Sequence, residues 1–229
     1  MSRGGEKLAH ALERFSVDPR DRRCLDAGVS TGGFTDCLLQ RGAASVIAYD
    51  VGYGQVHERL RADQRVEVHE RTNVRALTPA DIPPPPPDLL VADLSFISLA
   101  LVLPGLLRLP AASETAEAIV LVKPQFEAGR EEVGRRGVVR DPRVWSRCLS
   151  EVAAAAAAVG WSCVDATASP LRGPAGNVEF LLHLRRLTPP KWDTTPEDVV
   201  EGDERLGALI TAAVDEGRQV ARPGDRAED

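Results

Sequence analysis

Residues Cys24-Leu25-Asp26-Ala27-Gly28-Val29-Ser30-Thr31-Gly32-Gly33-Phe34 carry the reading on which the fold turns. An apolar run from Arg23 to Ala27 stops at a glycine, and helix-forming residues follow from Thr35 to Gln40. In such a strand, turn and helix unit the glycines let the backbone bend sharply and approach a ligand, while the helix N-terminus presents free amides. A tight turn alone would account for the glycines. The full string D-A-G-x-S-x-G-G-F adds a carboxylate at the strand end and points to a ligand site.

Spacing bears on which ligand. A dinucleotide fingerprint starting at Gly28 would read G-x-G-x-x-G, but position 30 is Ser, so the glycine that admits a pyrophosphate is missing. Asp26 suits the positively charged amino and sulfonium end of S-adenosyl-L-methionine better than it suits phosphate. Asp50 closes the next apolar run and suits ribose hydroxyls, a role it would share in NAD-binding folds. The expected cofactor set is Asp26, Gly28, Ser30, Gly32, Gly33, Phe34, Asp50, Asn73 and Asp93.

Outward from this loop, Val-, Ile- and Leu-rich runs recur at Arg23 to Ala27, Ser45 to Asp50, Val66 to His69, Asp88 to Asp93, Ala118 to Val122, Ser162 to Ala166 and Val178 to Leu184. Several are apolar on both faces, as strands covered by helices on each side should be. Helical patterns at Glu6 to Phe15, Thr35 to Gln40, Leu99 to Leu107 and Pro142 to Val159 separate them. The alternation predicts an α/β fold with a doubly wound, mainly parallel, seven-stranded sheet and helices on both faces. Pro83 to Pro87 reads as a stiff loop entering the fourth strand.

The composition predicts one domain over residues 1–187 and an acidic tail over 188–229, partly helical near Leu206 to Val214, solvated rather than docked, and disordered over its last ten or so residues. The tail holds eleven acidic and five basic residues, which accounts for the formal charge of −6 and leaves the body near neutral. Two mildly basic stretches remain, Met1 to Arg23 and Lys123 to Arg147, and they permit an RNA partner. The longest apolar candidate, Leu89 to Leu109, is broken by Pro104 and Arg108, and the N-terminus lacks the apolar core of a signal peptide. A cytoplasmic protein without a membrane partner is therefore expected. Cys24, Cys37, Cys148 and Cys163 read as buried free thiols, and neither they nor the four scattered histidines show metal-ligand spacing.

Asp93 and Lys123 each follow an apolar run directly, so both should project from strand ends toward the ligand side of the sheet. Spacing alone does not place Lys7 and Glu179. Residues 129–140 carry Arg130, Arg135, Arg136 and Arg140 between glycines and read as a mobile basic loop beside Lys123, able to meet phosphates.

Six ordered motifs, Ser2-Arg3-Gly4-Gly5-Glu6-Lys7-Leu8, the glycine loop, Ala92-Asp93-Leu94-Ser95-Phe96-Ile97-Ser98, Leu121-Val122-Lys123-Pro124-Gln125-Phe126-Glu127, Gly137-Val138-Val139-Arg140-Asp141-Pro142 and Gly176-Asn177-Val178-Glu179-Phe180, give the chain its resemblance. Together they resemble the TlyA, or hemolysin-A-type, ribosomal RNA methyltransferases of the FtsJ-like group, over about Met1 to Arg186. The resemblance implies a Rossmann-like class I methyltransferase, S-adenosyl-L-methionine as cofactor, and a ribose 2′-hydroxyl of ribosomal RNA or a ribosomal subunit as target. It also implies a catalytic set of Lys7, Asp93, Lys123 and Glu179, with Lys123 as base or hydroxyl-positioning group and the others orienting. Arg3 joins Arg130, Arg135, Arg136 and Arg140 as expected RNA contacts.

Members of that family carry a small S4 RNA-binding domain ahead of the Ser-Arg-Gly-Gly motif, and here Met1 stands directly before it. The expectation is therefore a chain without that domain, relying on its own basic surface or on a protein partner. Two other readings stay open: an O-methyltransferase for a nucleoside or other small hydroxylated substrate, and a non-catalytic S-adenosylmethionine-binding module.

Overall fold

The computed structural model describes residues 2–111, 115–134, 136–187 and 196–221, the side chains of the last segment from Glu204 onward. Seven strands, β1 (Arg23–Ala27), β2 (Ser45–Tyr49), β3 (Val66–His69), β4 (Leu89–Ala92), β5 (Glu117–Val122), β6 (Trp161–Ala168) and β7 (Phe180–Arg186), form one sheet in the order β3-β2-β1-β4-β5-β7-β6. The β1–β2, β2–β3, β1–β4 and β4–β5 pairs are parallel, whereas β7 runs antiparallel to both β5 and β6. Seven helices accompany them: α1 (Arg3–Arg14), α2 (Gly33–Gln40), α3 (Glu58–Arg61), α4 (Leu99–Leu106), α5 (Pro124–Glu127), α6 (Pro142–Ala157) and α7 (Pro196–Ala221).

The central strands are apolar on both faces because each face is covered. Cys24, Val46, Leu89, Val91, Ile119 and Leu121 pack with residues of α1, α2 and α3, including Leu8, Leu12, Phe34, Leu38 and Leu60. Leu25, Ile47, Leu90, Val120 and Leu182 pack on the other side with α4, α6 and α7. Strand order reverses at β1, whose two neighbours are β2 and β4, and in open α/β sheets the crevice beyond such a switch point is where ligands bind. Both Gly28 and Asp93 stand there, directly after β1 and β4, with the Asp93 amide donating to the Ala27 carbonyl at 3.0 Å.

Two sequence expectations are corrected here. The segment expected to be solvated is a docked helix: Ile210, Ala213 and Val214 are buried in the same core as Val178 and Phe180. Glu216 adds to the docking, its Oε2 accepting from Thr167 Oγ1 at 2.6 Å and from the Ala168 amide at 3.0 Å. The chain end beyond Ala221, expected to be disordered, lies outside the described residues. The stretch 129–140, expected to be mobile, is pinned at its C-terminal part. Asn177, buried, accepts from the Val139 amide at 2.9 Å and donates to the Gly137 carbonyl at 2.8 Å, and Trp145 Nε1 donates to the Val139 carbonyl at 3.0 Å. Among the described residues no helix is long and apolar enough to cross a membrane.

Candidate active site

The loop after β1 forms through three residues in left-handed backbone, Gly28 (φ 92°), Ser30 (φ 48°) and Gly32 (φ 99°). Ser30 adopts this conformation without being glycine, and Asp50 holds it there: the Asp50 carboxylate accepts from the Ser30 amide and from the Gly52 amide, each at 2.7 Å. The loops after β1 and β2 are thereby tied to each other. At Gly28 a Cβ would lie 2.6 Å from the Asp93 carbonyl oxygen, so only glycine lets the β1 and β4 ends approach this closely.

α1 starts at the Ser2 cap, whose Oγ accepts from the Gly5 amide at 3.2 Å, so the helix begins at Arg3, three residues ahead of the pattern expected from Glu6. Its first turn packs against the start of α2, where a Cβ on Gly33 would lie 2.5 Å from Ser2 Oγ and 3.1 Å from the Gly5 amide. That contact brings Lys7, on the inner face of α1 beside Leu8 and Ala11, over the glycine loop.

A cavity of about 380 Å³ results, lined among others by Arg3, Lys7, Gly28, Ser30, Phe34 and Asp93. Two ion pairs build its chemistry. Lys7 Nζ donates to Glu179 Oε2 at 2.5 Å, with both side chains buried. Lys123 Nζ lies 2.7 Å from Asp93 Oδ1 as an ion pair and donates to Ser95 Oγ at 2.6 Å. The fold thus brings all four expected catalytic residues together, as two lysine–carboxylate pairs joined through the cavity wall that Lys7 and Asp93 share.

Asp26 is placed differently from expectation. It is fully buried, its Oδ2 accepting from Thr35 Oγ1 at 2.7 Å, and its Oδ1 has no hydrogen-bond partner among the described residues. Burial pushes its carboxyl up to about 7, the Thr35 hydrogen bond opposes this, and the nearby Asp93 and Asp50 charges push it higher. Because the folded value lies above the unfolded one, the carboxyl contributes stability that is full below about 3.8 and is lost as pH rises through about 7. Asp26→Asn should therefore melt with a flatter pH dependence between those limits and exceed the wild type at pH 8, by on the order of 4 kcal/mol if burial alone acts. Parallel curves for the two proteins in pH-resolved thermal melts would contradict the assignment.

Other expected residues fall outside the cavity. Gly32 faces Leu60 Cδ1, 2.1 Å from where its Cβ would be, and lines an adjacent hollow. Asn73 is exposed and caps a short 3-10 turn by accepting from the Arg75 amide at 3.1 Å. Arg3 lines the cavity, but its Nη2 donates to the Arg172 carbonyl at 2.6 Å. Arg130, Arg136 and Arg140 are exposed on the flank, Arg140 lining a separate hollow with Val138 and Gly176, and Arg135 lies outside the described residues.

Three residues have site roles that the sequence reading did not assign. Ser95 accepts from Lys123. Glu127 accepts from Ser98 Oγ at 2.7 Å and the Leu99 amide at 2.6 Å, capping α4 and holding the 95–98 loop beside Lys123. Phe96 is 92% exposed in left-handed backbone (φ 64°), its ring 5.3 Å from that of Phe126, which Lys123 Nζ approaches at 5.9 Å. Ser95 and Phe96 sit in a motif already marked by its neighbour Asp93, but a positive φ and the exposure of a phenyl ring leave no trace in composition. Burial pushes the thiols of Cys24 and Cys148 up to about 12 and that of Cys37 up to about 11, and Cys163, only half-buried, is likewise pushed up to about 12.

Comparison with known proteins agrees with this geometry. Residues 1–186 match the FtsJ-like methyltransferases. The chain belongs to the FtsJ-like methyltransferase family. It is 56% identical over 188 residues to TlyA of Mycobacterium tuberculosis, named as a 16S/23S rRNA (cytidine-2′-O)-methyltransferase, covering 82% of this chain and 69% of that protein. It is 46% identical over 222 residues to YqxC of Bacillus subtilis, covering 97% of this chain and 75% of the relative. A solved structure described as a hemolysin of Streptococcus thermophilus superposes with a TM-score of 0.82 at 39% identity, over 96% of this chain and 76% of that one. The FtsJ-like assignment accounts for a Rossmann-like sheet whose switch point holds a glycine loop.

Proposed function

We propose that this FtsJ-like protein transfers the methyl group of S-adenosyl-L-methionine to a ribose 2′-hydroxyl of ribosomal RNA. The observation that carries the reading is the wall that the glycine loop shares with the two lysine–carboxylate pairs through Lys7 and Asp93, which sets a methyl-donor site beside groups able to handle a hydroxyl proton. Cofactor identity rests on charge: Asp26, Asp50 and Asp93 surround the loop, which suits a ligand with cationic amino and sulfonium groups and disfavours a pyrophosphate. The strained Ser30 turn, which lines the cavity, is a feature such a ligand would use.

Bound S-adenosyl-L-methionine supplies an electrophilic methyl carbon with a good leaving group. That methyl would pass to the 2′-oxygen with the sulfur as leaving group, and the protein's own task would be to orient the hydroxyl and take up its proton. In this reading Lys123, held by Asp93 and Ser95, contacts the hydroxyl and orients it or accepts its proton, a role supported by its tie to the cavity-lining Asp93. Lys7 and Glu179 set the local charge and the position of α1 over the loop. In-line placement supplies much of the acceleration.

RNA is favoured over a small hydroxylated substrate by the activity for which the Mycobacterium tuberculosis relative is named and by Phe96. A phenyl ring exposed at the cost of backbone strain, beside Lys123, is suited to stack an unpaired base of a single-stranded target. Phe96→Ala should lower kcat/KM for RNA by about 5- to 150-fold, as lost base stacking of about 1–3 kcal/mol implies, with unchanged cofactor affinity and with activity retained in Phe96→Tyr. Equal activity of Phe96→Ala and wild type would remove stacking from the reading.

The deciding experiment is transfer of radiolabelled methyl to purified ribosomal subunits, with free rRNA and a nucleoside panel alongside, then nuclease digestion to locate the label. Label on a ribose 2′-oxygen of RNA is expected, and binding should weaken steeply with salt. Label on nucleosides alone, or none despite cofactor binding, would overturn the proposal.

A further inference from the structure

The family match ends at residue 186, yet the helix beyond it reaches the active site. α7 lies so close to β7 that a Cβ on Gly217 would be 2.8 Å from Phe180 Cε1 and 3.2 Å from Val178 Cγ1, the two residues flanking Glu179. Near the end of α7, Val220 has a carbonyl in the last turn, where intrahelical donors run out. Arg172 supplies them: its Nε and Nη2 donate to the Val220 carbonyl at 2.9 and 2.5 Å. The same residue's carbonyl accepts from Arg3 in the first turn of α1, one turn before Lys7.

The residue after Arg172 completes the connection. Gly173 is buried, and Glu179 Oε1 occupies the space where its Cβ would be, 2.4 Å away. The backbone at 172–173 is therefore one wall of the Glu179 carboxylate and, through Arg3, an anchor of the helix that carries Lys7. Movement at this point displaces both partners of a buried ion pair at once.

We propose that Arg172 is a positioning residue for the Lys7–Glu179 pair, tying the end of the C-terminal helix to both elements that bear it. This rests on the reading above that the pair serves methyl transfer. If so, α7 is part of the catalytic support, although the family's own motifs stop before it. The match to YqxC, which covers 97% of this chain, extends into this helix.

The test needs a readout apart from turnover, and the chain provides one. It has three lysines, Lys7, Lys123 and Lys191, of which Lys7 and Lys123 are similarly buried and each ion-paired. Labelling by an amine-directed reagent, followed by mass spectrometry, reads Lys7 against Lys123 as internal reference, without cofactor or RNA. In Arg172→Ala, Lys7 labelling should rise at least about fivefold relative to Lys123. In the same variant kcat should fall about 10- to 100-fold, as small misplacements of catalytic groups do, with KM for RNA and Kd for cofactor nearly unchanged. Arg172→Lys, which keeps one cationic donor, should recover part of both; it and Arg172→Gln carry the test if the alanine variant does not fold.

Unchanged Lys7 labelling in a folded variant would overturn the proposal, as would an equal rise at Lys7 and Lys123, which marks Arg172 as a general structural tie. A wild-type protein that methylates no RNA would sink the functional reading instead. The labelling ratio would still decide whether Arg172 positions the pair.

Discussion

Lys123→Ala should lower methyl transfer to RNA by about 10²- to 10⁴-fold, the range for loss of a positioned proton-handling group, while cofactor affinity stays close to wild type. Lys123 follows β5 directly and touches Asp93 and Ser95, and it does not line the cavity floor that the glycine loop provides. Its removal leaves Asp93 without its cation, but that carboxylate is 23% exposed and water can solvate it, so the stability loss should sit below the 3–5 kcal/mol of a fully buried broken pair. Lys123→Arg should not rescue, because a planar fork cannot reproduce a point ammonium between Asp93 and Ser95. Single-turnover transfer with saturating cofactor, beside calorimetric cofactor binding, checks both halves. Activity above about a tenth of wild type would sink the assignment of Lys123 to the hydroxyl.

Gly28→Val should abolish measurable cofactor binding and methyl transfer together. Two costs combine: a β-branched residue at φ 92°, and a Cβ placed 2.6 Å from the Asp93 carbonyl and 3.1 Å from Leu94 Cδ2. The first is about 1–2 kcal/mol of backbone strain. The second forces the β1 and β4 ends apart and so moves Asp93 as well as the loop. A control separates them: Gly160 also has a positive φ (80°), with nothing within 4 Å of its Cβ position, in the turn before β6. Gly160→Ala should lower Tm slightly and leave cofactor affinity untouched. Normal cofactor affinity in folded Gly28→Val would refute the placement of the ligand at the switch point.

Much of the sheet could be read beforehand because a strand buried on both faces writes itself as an uninterrupted apolar run. Arg23–Ala27 and Val66–His69 coincide with their runs, and the others differ by one or two residues at an end. Strand order and the antiparallel direction of β7 left no such mark, since a run of Phe180 to Leu184 looks alike in either direction. Asp93 and Lys123 were legible for the same reason as the strands: each is the first charge after one. Lys7 and Glu179 were legible only through motif resemblance, since their meeting depends on how α1 packs, and that depends on Gly33 and Gly4 lying in contact.

The docking of α7 was misread for a physical cause. Its buried residues Ile210, Ala213 and Val214 are few, and its closest approach to the core is at Gly217, where a missing side chain makes the contact. Hydrophobic density falls where backbone packs on an aromatic ring. Acidic residues there suggested a solvated tail, although Glu216 is tied to the end of β6 by two hydrogen bonds. Phe96 shows the converse: a large apolar residue normally expected in the core stands exposed, and only its φ angle and neighbours set it apart.

The partners Lys7 and Glu179 are 172 residues apart in the chain. During synthesis the glycine loop and the first helix emerge early, and domains mature from the N-terminus onward. The carboxylate that completes the pair is therefore made long after the lysine it holds. The pair therefore closes only once the segment leading into β7 has been made, and a polypeptide that stops short of it holds Lys7 without its carboxylate.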